Sequence, residues 1–146
     1  MATPLTALDV REFLQDYDEQ NLLLDKAEFT DTFIELCMKM AVSEFNSIPP
    51  VAIVTSLDRF PTMSLLMWGT CWMMFNGRAA LAARNNLTYS DGGLQIPVEE
   101  KFELYTQLAD KFGAMFQDAA QKYKISANME CGWGSVWSDE RNFPLW

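Results

Sequence analysis

From Met63 to Phe75 the chain is almost wholly apolar, and no charge appears before Arg78. Leu65, Leu66, Met67, Trp68, Trp72, Met73, Met74 and Phe75 are too many large side chains for one stripe of a surface helix. A helix apolar on nearly every side is covered on nearly every side. The stretch from Pro61 to Asn86 therefore predicts a central helix. Pro61 precedes it, Thr62 or Ser64 caps it, and Arg84 stands in its last turn beside Asn85 and Asn86. At 1.5 Å per residue it is about 35 Å long. The uncharged part falls short of the ~18–20 residues that a bilayer requires, so no membrane span is expected. So small a chain has few elements to cover this helix, and burial by neighbouring subunits is the expectation.

The same periodic reading places three further helices. Thr6 to Asp16 is a short one, with Asp9 three residues after Thr6 as a cap signal and Leu8, Phe13 and Leu14 sharing a face with Val10. Asp16 to Asn21 reads as a solvated polar turn, and Leu22, Leu23 and Leu24 must pack on something. Thr32 with Glu35 forms a capping box for the next helix, with Phe29 as its staple. Ile34, Cys37, Met38, Ala41 and Phe45 recur at steps of three and four, and Phe33, Leu36 and Met40 widen that stripe. This helix ends near Asn46, where Pro49-Pro50 stops it, and Val51 to Phe60 is a connector. After the central helix, Leu87 to Ile96 holds Asp91-Gly92-Gly93 between short alternating flanks, a hairpin signal. Pro97 to Lys124 is the second long helix, opened by Pro97 and by Glu99 and Glu100. Val98, Phe102, Tyr105, Ala109, Phe112, Phe116, Ala119 and Tyr123 form its inner face, broadened by Leu108 and Met115, and Lys122 and Lys124 close it.

The fold class that follows is all-α: a helical bundle of about four helices over residues 1–124, with two long antiparallel helices and a short β-turn or hairpin between them. Residues 125–146 carry Trp133, Trp137, Phe143 and Trp146 among Gly132, Gly134 and Pro144. That composition suits neither a disordered linker nor a helix, so an extended C-terminal arm with aromatic anchors is expected. Trp133, Trp137, Phe143 and Trp146, with Asp91, Gly92 and Gly93 of the turn, are the candidate interface residues.

Composition narrows the chemistry. The chain of 146 residues is 49% hydrophobic, with nine Met and five Trp, residue types suited to adaptable packing and to interface anchors. A formal charge of −9 opposes gripping nucleic acid by overall field. There is no histidine, which removes the commonest general base and zinc ligand. Cys37, Cys71 and Cys131 have no metal spacing and read as reduced, and Cys131 lacks an activating partner. Asp16, Asp18 and Glu19 lack the glycine and terminal Glu of a calcium loop. Asp91-Gly92-Gly93 lacks the lysine and flanking strand of a phosphate loop. No enzyme, cofactor or metal is expected.

In the order of its features the chain resembles the small head-to-tail connector (adaptor) proteins of tailed bacteriophages. Asp9 to Pro50 resembles their opening: a short helix, a leucine-rich link, and an "eFTD" helix ending in "FN-x-x-PP". The apolar helix running into RNNLTYSDGGL, Arg84 to Leu94, resembles their second signature. The K-x-x-N element, lengthened by a residue at Lys124 to Asn128, and "GWG" at Gly132 to Gly134 resemble their C-terminal arm. The resemblance implies a non-catalytic subunit of the virion neck, assembled in the host cytoplasm as a homo-oligomeric ring of about twelve copies. It implies docking to a portal protein above and to tail or nozzle proteins below, with DNA passing through the lumen without specific binding. The acidic charge separately admits another role, a small helical inhibitor or regulator that binds a host protein. Its carboxylates form no block, which favours ordinary solvated faces.

Overall fold

The computed structural model describes residues 5–21, 26–51, 54–85, 88–91, 94–97 and 101–133. Four helices make an all-α architecture: α1 (Ala7–Leu14), α2 (Asp31–Ser47), α3 (Met63–Arg84) and α4 (Lys101–Trp133). Between α3 and α4, β1 (Thr88–Asp91) and β2 (Leu94–Pro97) pair antiparallel, Thr88 opposite Pro97 and Asp91 opposite Leu94. Gly92 and Gly93, the expected corner of that turn, lie outside the described residues.

The helix starts follow from their caps. Thr6 accepts a hydrogen bond from the Asp9 amide while the Asp9 carboxylate receives the Thr6 N–H at 2.8 Å, a complete capping box. Thr62 caps α3 by accepting from Leu65 N. For α2 the cap is Thr30, which accepts from Phe33 N, and not Thr32 as the spacing to Glu35 suggests. Phe29, next to the cap, stacks on Phe33 with ring centroids 6.3 Å apart and so holds the first turn. Beyond Ser47 the Asn46 side chain pins the connector: its Oδ1 accepts from Thr55 N at 2.9 Å and its Nδ2 donates to Thr55 O at 3.0 Å.

The core sits where α2, α3 and α4 meet. One cluster joins Val10, Ile34, Cys37, Ala41, Leu66, Cys71, Met74, Phe75 and Ala109, and a second joins Phe45, Leu65, Phe116 and Ala120. Tyr105 and Phe112 stack on Phe75, and Phe116 meets Trp72. Two glycines allow the long helices to approach. A Cβ at Gly69 would lie 2.7 Å from the Phe116 ring and 2.9 Å from Ala41 Cβ, and one at Gly113 would lie 2.8 Å from Trp72 Nε1.

Four expectations are corrected. The apolar helix α3 is sheltered by its own chain: Leu65, Leu66, Met67, Cys71, Met74 and Phe75 are all buried, and of its large apolar side chains only Met63 is exposed. Helices α2 and α4 suffice to cover it, so α3 by itself demands no neighbouring subunit. Pro97 does not open α4 but closes β2. The helical path does not stop at Lys124. It continues through Ile125, Ala127, Met129 and Glu130 to Trp133, because Ser126 and Asn128 weaken helix propensity without ending the helix. The boundary between bundle and arm at 124/125 moves accordingly, and residues 134–146 lie outside the described residues. Finally, several side chains assigned to inner faces are exposed: Leu8 and Phe13 on α1, Leu36 and Met40 on α2, and Phe102, Leu108, Met115 and Tyr123 on α4. The core takes a narrower stripe from α1, α2 and α4 than their apolar patterning suggests, and most of the circumference of α3.

Candidate interaction surfaces

The expected interface residues are not gathered into one described surface. Trp133 is the last residue of α4 and Asp91 the last of β1, while Gly92, Gly93, Trp137, Phe143 and Trp146 lie outside the described residues. The structure instead displays two surfaces that the sequence reading did not isolate.

The first is the outer seam of α4. Ala109, Phe116, Ala120 and Lys124 turn inward and are buried. On the opposite side stand Leu104, Leu108, Met115, Ile125 and Met129, with Leu104 60% and Met129 54% exposed. Their numbers differ by sums of threes and fours, the heptad spacing of a helix that receives another helix. Lys111, Asp118 and Lys122 occupy the remaining seam positions, and Lys122 Nζ bonds Asp118 Oδ2 at 2.7 Å in the open. The signal was present in the sequence but was merged with the inner stripe. The two separate only when each is followed over the full 33 residues of α4.

The second is an open cavity of about 420 Å³ between the Lys26–Thr30 segment, α3 and the start of α4. Arg78 is its pivot. The guanidinium carbon lies 4.9 Å from the Phe29 ring centroid, and Nε approaches Glu28 Oε1 at 3.8 Å. Tyr105 donates a short hydrogen bond to the same Glu28 oxygen. Arg78 Nε is buried with no hydrogen-bond partner among the described residues. Lys26, Lys101 and Asn85 complete the polar wall. A groove of about 310 Å³, lined by Phe33, Gly77, Leu81 and Arg84, adjoins it across Arg78.

The remaining polar groups explain themselves as structure. Asp16 is not part of a solvated turn: it is 5% exposed. Its carboxylate receives the backbone N–H of Glu28 at 2.6 Å and of Phe29 at 2.9 Å, the Asn21 amide at 2.6 Å and Arg11 Nη1 at 3.2 Å. Arg11 also pairs with Asp31 at 2.8 Å and donates to the Phe29 carbonyl, so one ion cluster ties α1 to the start of α2. Lys124 is fully buried in the middle of α4, with Nζ 4.8 Å from the Phe45 ring centroid and donating to Ile48 O at 2.6 Å and Asn46 O at 3.3 Å. It places a cation on the carbonyl end of α2, which has no basic residue in its own last turn. Burial holds its pKa below the usual lysine range.

Burial likewise pushes the Cys37 thiol up to about 11 and the Cys71 thiol up to about 12, the reverse of an activated nucleophile. Among the described residues no cluster of His, Cys, Asp or Glu is arranged to hold a metal, and no described helix is long and apolar enough to cross a membrane. Compared with protein-family models, curated proteins and solved structures, the chain matches none.

Proposed function

We propose that this chain is a structural subunit of a phage neck: a head-to-tail connector that assembles as a ring between portal and tail and lets DNA pass. The observation that supports assembly is the seam of Leu104, Leu108, Met115, Ile125 and Met129 on the outer side of a helix about 50 Å long. Exposed apolar positions that recur on one helix face, here interspersed with Lys111, Asp118 and Lys122, suit a partner site. The ordered resemblance from Asp9 to Gly134 supports the place of that assembly in a virion neck. In this reading α3 and α4 form an antiparallel helical hairpin with the β1–β2 ribbon at its tip. Tyr105 and Phe112 meeting Phe75, Phe116 meeting Trp72, and Ala120 clustering with Leu65 support it, since the partners descend α3 as α4 is climbed. The role is structural, without catalysis or cofactor, and the docked partners are a portal protein on one side and tail proteins on the other.

Native mass measurement of the purified chain, alone and with portal, tests the reading together with cryo-microscopy of the particles. Rings bound to portal are the expected result. A stable monomer that ignores portal and is missing from virions overturns it.

A further inference from the structure

We infer that the free chain pairs with a second copy of itself through the outer seam of α4, the two helices running antiparallel about a two-fold axis at the level of Ala120. The inference rests on the reading of that seam as an assembly surface and not on its place in a virion. It adds what covers the seam and in which register.

The spacing comes first. From Leu108 to Gly132 the seam positions follow one another by alternating steps of four and three without a break. Such a seam meets a second helix layer by layer. The helix is free to receive one: Ala109, Phe116, Ala120 and Lys124 are buried on its other side. From Ile125 to Glu130 no side chain is buried and only Ala127 is half-buried. The stretch from Leu108 to Gly132 offers about 36 Å of contact.

Charge then selects partner and register. Asp118 and Lys122 form an exposed ion pair in the middle of the seam. A parallel pair in register stacks Lys111, Asp118 and Lys122 each on its own copy, like charge on like. An antiparallel pair that sets Lys111 on Lys122 opposes like charges again, and one shifted further sets Leu108 on Asp118. Centred at Ala120, Asp118 of each copy faces Lys122 of the other. The four groups then alternate in sign around the axis, and the pair within each helix is kept. Complementary charge of this kind fixes register. The same register puts Met115 on Ile125 at both ends of the charged centre and lays the stem of Lys111 along Met129. It also sets Leu108 over Gly132, where no atom lies within 4 Å of an added Cβ. No other surface is required: the seam is complementary to itself when reversed. A contact of this symmetry closes on two copies, whereas a ring of copies pointing one way uses a different contact. Ring growth on the portal therefore has to part the pair.

Charge exchange tests the register. Asp118→Lys sets Lys on Lys, and Lys122→Asp sets Asp on Asp. Each variant alone is expected to self-associate about tenfold more weakly than the parent in sedimentation over a range of concentrations. A mixture of the two variants, one of them 15N-labelled, sets Lys against Asp at both places. Mixed-isotope dimers of parental strength by native mass uphold the inference. Association that neither substitution weakens, a loss that the mixture does not restore, or a parent that stays monomeric up to millimolar concentration overturns it. Circular dichroism checks the fold of each variant. The parent alone gives a second measurement, carbodiimide coupling of mixed 14N- and 15N-labelled chains. An Asp118–Lys122 link with mixed isotopes is expected, and only same-isotope links overturn the pairing. Rings on portal from a chain that fails these tests overturn the pairing and leave the ring reading standing. Restored dimers that never form rings on portal do the reverse.

Discussion

At the scale of single residues, burial decides what each polar group does. Asp16 looks like one of three loop carboxylates, yet Asp18 and Glu19 are exposed while Asp16 closes the loop between α1 and α2 with four hydrogen bonds. Two of its partners are backbone N–H groups twelve and thirteen residues on, and backbone donors leave no mark on a side-chain pattern. Asp16→Ala strands those amides together with Arg11. A destabilisation of about 3 kcal/mol is expected in urea unfolding followed by circular dichroism, with a smaller loss for Asp16→Asn, which keeps one acceptor and the volume. The thiols follow the same logic. With pKa values of about 11 and about 12, Cys37 and Cys71 hold about a thousandth and a ten-thousandth of their population as thiolate at pH 8, against about a quarter for a free thiol. Both are expected to resist a thiol-specific reagent in the native protein, to react faster as pH rises, and to react fully once the chain is unfolded in denaturant. Fast native labelling of either, located by peptide mapping, would contradict their burial.

At the scale of elements, strong periodic signals were legible and their limits were not. The burial of α3 on most sides, the Thr6–Asp9 capping box, the Thr62 cap and the end of α2 near Asn46 all follow from local pattern. The α2 cap slips by two residues because Thr30 and Thr32 are both good caps, and the packing of Phe29 against Phe33 and Phe75 selects the first. The far end of α4 was missed because Ser126 and Asn128 weaken propensity without ending a helix whose earlier turns are already anchored. The inner and outer stripes of α4 were merged because helix faces are shared out by tertiary neighbours, which a single sequence does not display. What the sequence does not reveal at all is why α3 and α4 lie so close. Gly69 against the Phe116 ring and Ala41 is the reason. Gly→Ala in a helix gains about 1 kcal/mol of propensity, whereas overpacking costs about 1–3 kcal/mol, so at this position crowding wins. Gly69→Val adds two more methyl groups and less propensity. A loss of about 2 kcal/mol or more is expected in thermal unfolding, while Gly132→Ala, with nothing within 4 Å, should be neutral or slightly stabilising.

At the scale of the whole molecule, the question is where apolar surface remains after folding. The central helix spends its own on α2 and α4, and the surplus moves outward to Leu104, Leu108, Met115, Ile125 and Met129. A seam of this kind has a specific consequence. If it packs between copies or against a partner, charging it should remove association and leave the fold intact, because none of these side chains belongs to either core cluster. Leu104→Glu/Ile125→Glu/Met129→Glu is the variant to make. These side chains are 60%, 44% and 54% exposed, on a helix that tolerates Glu well, so helicity and urea midpoint are expected to change little. Lys111 and Lys122 on the same face partly compensate the added charge. Each exposed apolar side chain buried on association contributes about 1–2 kcal/mol, so replacing three of them by desolvation-averse carboxylates should weaken assembly by more than about a hundredfold. Analytical ultracentrifugation of the variant beside the parent, over a range of concentrations, reads the shift directly. Unchanged oligomers with an unchanged fold would show that this seam faces solvent in the assembled state.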